Sequence, residues 1–147
     1  MAGARPARIV IVNKDGVVSR GLIKVEPTAA GIFTSRANGA GAPAAVASAD
    51  GRNFNIGMSN PDGTPVAIDA GNYVSLFGTG IRYRSNEVGV SIGGMNITPL
   101  FAGAQGELVG LDQINLQIPT AMAGRGDVDL EVTVDGKKTN AVKLRIK

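Results

Sequence analysis

The chain has 147 residues, 44% of them hydrophobic and 18% charged, a length suited to one domain. It contains no Cys and no His, which removes Ser-His-Asp and Cys-His catalysis, Cys/His zinc sites and disulfides together. The net charge of +3 comes from scattered bases. Only Tyr83 lies among arginines, so the basic stripe with interleaved aromatics that nucleic-acid binding needs is not present.

The start of the chain lacks the apolar stretch of a signal peptide, and no apolar run approaches the length of a membrane span. Residues 8–25 read as a β-hairpin. Arg8-Ile9-Val10-Ile11-Val12 is a β-branched run, Asn13-Lys14-Asp15-Gly16 is turn chemistry, and Val17 to Val25 is extended again. Pro27 breaks that pattern. A short apolar piece, Ala30 to Thr34, precedes a polar glycine-rich loop from Ser35 to Gly41. The small-residue run Ala42 to Ser48 reads as a strand because Gly39, Gly41 and Pro43 oppose a helix. Asp50-Gly51 and Asn60-Pro61-Asp62-Gly63 are turns.

From residue 64 the two-residue alternation sharpens. Tyr73 to Phe77 ends at Gly78-Thr79-Gly80, and Val88 to Ile92 ends at Gly93-Gly94. Asn96 to Phe101 reads as one further run. In Leu111 to Ile118 the residues Ile114, Leu116 and Ile118 point one way, while Gln113, Asn115 and Gln117 point the other. In the last hairpin Val128, Leu130, Val132 and Val134 alternate with acids and Thr133, and Val142, Leu144 and Ile146 alternate with bases. A two-residue Asp135-Gly136 loop would set apolar residues opposite charged ones, so a three-residue loop is expected. Its acids and bases then meet across the solvent face. About ten short strands with turn signals between them specify a sandwich or barrel.

The ordered set of Ala29-Ala30-Gly31-Ile32-Phe33-Thr34, Tyr73 to Gly80, Val90-Ser91-Ile92-Gly93-Gly94, Phe101-Ala102-Gly103, Val109 to Asn115, Ile118-Pro119, Val132 to Gly136 and Asn140-Ala141-Val142 carries a likeness. It resembles the uncharacterised C-terminal domain family abundant in Solibacter and other acidobacteria. The likeness covers roughly residues 25–147. It implies an immunoglobulin-like sandwich at the end of a large exported protein and offers no catalytic residues to transfer. The long upstream region and signal peptide usual in that family are missing from this sequence, and residues 1–24 read as the tail of a preceding strand region.

Gly78-Thr79-Gly80 lacks the Lys-Ser/Thr ending of a phosphate loop and reads as a strand-end turn. Gly89-Val90-Ser91-Ile92-Gly93 spells a nucleophile elbow but sits inside an alternating strand. Calcium is the most plausible ion, because it takes oxygen ligands from loops. Asp127 and Asp129, projecting from one strand face, are its candidate ligands, although two bases lie opposite them. The amides of Gln113, Asn115 and Gln117 suit sugar hydroxyls beside an aromatic platform, for which the sequence offers few rings.

The expected architecture is therefore an all-β, immunoglobulin-like β-sandwich over 65–147, with additional strands in 1–64 forming an accessory layer or ending a preceding region. The expected function is a non-catalytic structural or interaction module, the C-terminal part of a larger secreted or cell-surface protein. Its expected partners are proteins or surface polysaccharide rather than nucleic acid, with self-association through the exposed strand edge near 8–25. The alternative is a small calcium-assisted hydrolase of an ester or lactone.

Overall fold

The computed structural model describes residues 5–26 and 28–147; Pro27, where the sequence predicts a break, lies outside them. Almost every regular element is a strand. The first two, β1 (Arg5–Val12) and β2 (Val18–Val25), form a separate antiparallel arm. Its turn is the one the sequence indicates: the Asn13 side chain accepts hydrogen bonds from the backbone N–H groups of Asp15 and Val17, both at 2.9 Å.

Next come β3 (Gly31–Ile32), β4 (Ala45–Ser48), β5 (Ile56–Gly57), β6 (Ala67–Ile68) and β7 (Tyr73–Thr79). They are followed by β8 (Val88–Ile92), β9 (Met95–Ile97), β10 (Phe101–Ala104) and β11 (Asp112–Gln117). A single 3-10 turn at Thr120–Met122 precedes β12 (Gly126–Val134), β13 (Lys137–Lys138) and β14 (Val142–Ile146). One sheet runs β10-β11-β7-β4-β5 with β3 also on β7, and the other runs β6-β14-β12-β8-β9 with β13 also on β12. Among the described residues the pairings within these two sheets are antiparallel except that of β6 with β14. Residues 31–57 thus supply three strands to the first sheet.

The two sheets close over one aliphatic interior. Val74, Leu76, Ile114 and Leu116 come from the first, and Val90, Leu130, Val132 and Leu144 from the second, in a single buried cluster. Each such side chain stabilises by about 1.5–3 kcal/mol when fully buried. The alternation read from the sequence is what aims them inward, and the protein is an all-β sandwich. No helix among the described residues is long and apolar enough to cross a membrane.

Two local departures from the sequence expectation have clear causes. The run from Asn96 to Phe101 is divided at Thr98-Pro99-Leu100, so that β9 belongs to one sheet and β10 to the other. Proline cannot donate to a ladder, which makes this the natural crossing point. The second departure is the last hairpin. Its loop has two residues, not three: Asp135 (φ 49°) and Gly136 (φ 77°) form a turn with both central residues left-handed, and Val134 pairs with Lys137. Apolar residues still face apolar residues farther along, because Val128 pairs with Leu144 and Leu130 with Val142. One extra residue in the 139–141 segment shifts the register between the two stretches. The segment is a bulge, and the bulge rather than the loop restores the match.

Candidate functional site

Asp127 and Asp129 lie where the alternation puts them, on the solvent face of β12, and each meets a base on β14. Arg145 donates to both Asp127 oxygens, its Nη2 lying 2.9 Å from Oδ2, and Lys143 Nζ lies 2.7 Å from Asp129 Oδ1. These contacts hold the Asp127 carboxyl below the usual carboxylate range and push Lys143 and Arg145 up. The two proposed calcium ligands are thus engaged with cations. Among the described residues no three acidic side chains come together as a metal group.

The other Asp-Gly aspartates organise their own loops. Asp50 accepts hydrogen bonds from Ser48 Oγ and from the N–H groups of Arg52 and Asn53 at 2.7–2.8 Å, which lower its pKa strongly. Asp135 receives the N–H groups of Ser85 and Asn86 and the Asn86 amide, and so fastens the loop after β7 to the last hairpin. Its pKa is lowered, chiefly by the bond from Ser85.

The Gly78-Thr79-Gly80 string has a packing cause. A Cβ on Gly78 would collide with the Gly31 carbonyl oxygen, and one on Gly80 with that of Ala29. The glycines let β3 and the residues before it approach β7 closely. Just beyond them lies a feature that the strand parity of β11 carries. Asp112 shares the inward face with Ile114 and is 1% exposed. It accepts hydrogen bonds from Ile81 N at 2.6 Å, Arg82 N at 3.1 Å and Arg82 Nε at 2.5 Å, while Arg82 Nη2 donates to Leu111 O at 2.6 Å. Every one of these bonds is internal to the fold, so the pair clamps the sandwich end.

Two surfaces remain. One is a groove of about 800 Å³ between the β8–β9 edge and the crossing at Thr98 to Phe101. Ser91, Glu131 and Lys138 line it. Lys138 Nζ is held 2.9 Å from Glu131 Oε2, and no hydrogen bond joins Ser91 to either among the described residues.

The other is the outer face of the first sheet. Cross-strand partners share a face. Phe101, Asn115 and Ser75 therefore form one row, and Gly103, Gln113 and Phe77 the next. Gln117 and Tyr73 form a third. Phe33 joins the middle row, its N–H bonded to Phe77 O at 2.9 Å. Four of the six aromatic residues thus stand on one sheet face, among the amides of β11. The sequence shows the amide row but not the rings beside it, because Phe33, Phe77 and Phe101 reach that face only through strand pairing.

The polar groups of this face are partly tied together. Gln113 Nε2 and Ser75 Oγ both donate to Asn115 Oδ1, at 2.6 and 2.9 Å. Phe101 lies against Gly103, whose missing side chain gives the ring room to lie flat, and it remains 43% exposed. The result is a surface of rings beside amides that are partly held by hydrogen bonds. Comparison with family models, curated proteins and solved structures gave no match for this chain.

Proposed function

We propose that the protein is a non-catalytic, immunoglobulin-like binding module of a larger secreted or cell-surface protein, of the kind its likeness to the acidobacterial C-terminal domains implies. The outer face of the β10-β11-β7 sheet is its contact surface. One observation carries this reading: aromatic rings and carboxamides are interleaved on one hydrogen-bonded sheet face. Flat rings stack against the apolar faces of sugar rings, and amides exchange hydrogen bonds with hydroxyls, so a surface polysaccharide is the ligand class this chemistry fits. Preorganisation adds to the fit, because amides already held by hydrogen bonds lose little side-chain entropy on binding.

The test is co-sedimentation of the whole chain with insoluble bacterial and plant polysaccharides, followed by glycan-array binding. Retention that falls at least tenfold in Phe101→Ala and in Asn115→Ala, with thermal stability kept, supports the reading. Absence of retention on every polysaccharide, or chelator-sensitive turnover of generic esters and lactones, overturns it.

A further inference from the structure

The arm formed by β1 and β2 is built unlike the rest of the protein. None of its sixteen strand residues is buried. Nine aliphatic side chains, from Ile9 to Val25, are 37% to 75% exposed. A lone two-stranded ribbon is marginal in water, and exposed aliphatic surface of this extent marks an interface. The arm joins the sandwich at its root, where Glu26 meets Lys137 and Lys24.

The pairing register sorts the arm into two different faces. Ala7 with Ile23, Ile9 with Gly21, Ile11 with Ser19 and Arg5 with Val25 make one of them. It is uncharged except for Arg5 at the root. Arg8 with Leu22, Val10 with Arg20, Pro6 with Lys24 and Val12 with Val18 belong to the other, which also exposes aliphatic side chains but sets three of the arm's five bases among them. Residues 5–25 hold those five bases against Asp15 alone, a net +4, while the whole chain is +3, so the remainder sums to −1.

We propose, independently of the sheet-face reading, that the occupant of the uncharged face is the same face of a second copy. Two arms stack into a four-stranded, two-layer unit about a two-fold axis. This arrangement buries Ile9, Ile11 and Ile23 and points Arg8, Arg20 and Lys24 of both copies away from the contact. Stacking through the opposite faces would instead press six bases together. The small residues Ser19 and Gly21 let the layers approach closely.

The area sets the strength. One face of a two-stranded ribbon is small, and two of them stacked bury less than the ~1,200 Å² of a stable interface. The dimer is therefore weak and concentration-dependent. Salt strengthens it by screening the repulsion between two +4 arms, whereas an anionic partner on the arm would be released by salt.

Sedimentation velocity of the full chain from about 10 μM to 1 mM tests this. The expected result is a weight-average mass rising toward twice that of one chain, and rising further in added salt. Ile9→Asp with Ile23→Asp holds the protein monomeric, while the charge-neutral Leu22→Asn on the other face leaves association unchanged. The chain has no cysteine, and a Cβ at Gly21 meets nothing within 4 Å, so Gly21→Cys gives a clean probe. It forms a disulfide-linked dimer under mild oxidation, and Leu22→Cys does not. A monomer throughout that range, association weakened by salt, or equal loss from substitutions on both faces would overturn the proposal.

Discussion

Asp112 stands among Ile114 and Leu116 on the core side of β11, where an unpaired carboxylate would be costly. Its burial is tolerated because three N–H groups of Ile81 and Arg82 converge on it. Truncation to Ala leaves the Arg82 guanidinium, itself largely covered, without its counter-charge. Asp112→Ala is therefore expected to lose about 3–5 kcal/mol, and Asp112→Asn, which keeps an acceptor, about 1–3 kcal/mol. Urea unfolding followed by intrinsic tyrosine fluorescence measures both. A loss under about 1 kcal/mol in the Ala variant would mean that the clamp adds little beyond packing.

The exposed carboxylates act on a different variable, pH. Asp50, Asp62, Asp127 and Asp135 all have folded pKa values below the ordinary 3.8, mostly because backbone and side-chain donors bond their ionised forms. Their contribution is complete above the unfolded value and is lost as pH falls through the folded ones. Lys143 and Arg145 are shifted the other way, so what they add is complete below their unfolded values and fades only as strong alkali removes their protons. The melting temperature should hold a plateau between about pH 5 and pH 10 and fall on the acid side below about pH 4. Asp135→Asn tolerates the left-handed backbone and should show a shallower acid limb. A melting temperature that is flat down to pH 2.5 would remove these carboxylates from the account.

At the level of elements, the bulge at residues 139–141 joins the two sheets. It turns Asn140 toward β3, where Oδ1 accepts from Ile32 N at 2.9 Å and Nδ2 donates to Ile32 O at 3.0 Å and to Gly39 O at 3.0 Å. The side chain thus acts as a short additional strand for an edge that has none. Asn140→Ala strands those backbone groups and should cost about 1–3 kcal/mol. Hydrogen exchange at Ile32 should accelerate by tenfold or more while the amides of β11 and β7 stay protected. Unchanged exchange at Ile32 would show that β3 is held by β7 alone.

This element also marks what was legible beforehand. The alternation of β11, β12 and β14 placed their inward residues correctly, because each strand has one wet and one dry face. The acid–base pairing of Asp127 with Arg145 and Asp129 with Lys143 followed from the same periodicity. Turn length is not fixed by the alternation, since apolar matching requires only that an extra residue enter somewhere between the strands and does not say where. The aromatic content of the outer sheet face was not readable at all. Phe33, Phe77 and Phe101 come from separate strands, and one-dimensional spacing carries no information about which strands become neighbours. Asp112 was visible by parity as an inward carboxylate, but its donors sit thirty residues away in a loop with no periodicity.

For the whole molecule, the arm and the sandwich differ in what maintains them. The sandwich has a continuous interior drawn from both sheets, whereas the arm contributes no residue to it. The stability of the sandwich should then be independent of residues 1–25. The root residue Glu26, with Lys137, would remain after their deletion, so even the junction's ion pair is retained. A chain starting at Glu26 is expected to melt within about 2 °C of the full chain at low micromolar concentration, where a weak dimer adds almost nothing by mass action. It should also be more soluble, since the deletion removes nine exposed aliphatic side chains together. If the shortened chain instead melts 5 °C or more lower, the arm supports the sandwich in the free monomer, and the division between a self-sufficient body and an arm awaiting a second copy fails. Differential scanning calorimetry at two protein concentrations separates these outcomes. Only the full chain should gain melting temperature as concentration rises, because only it retains the face through which two copies meet.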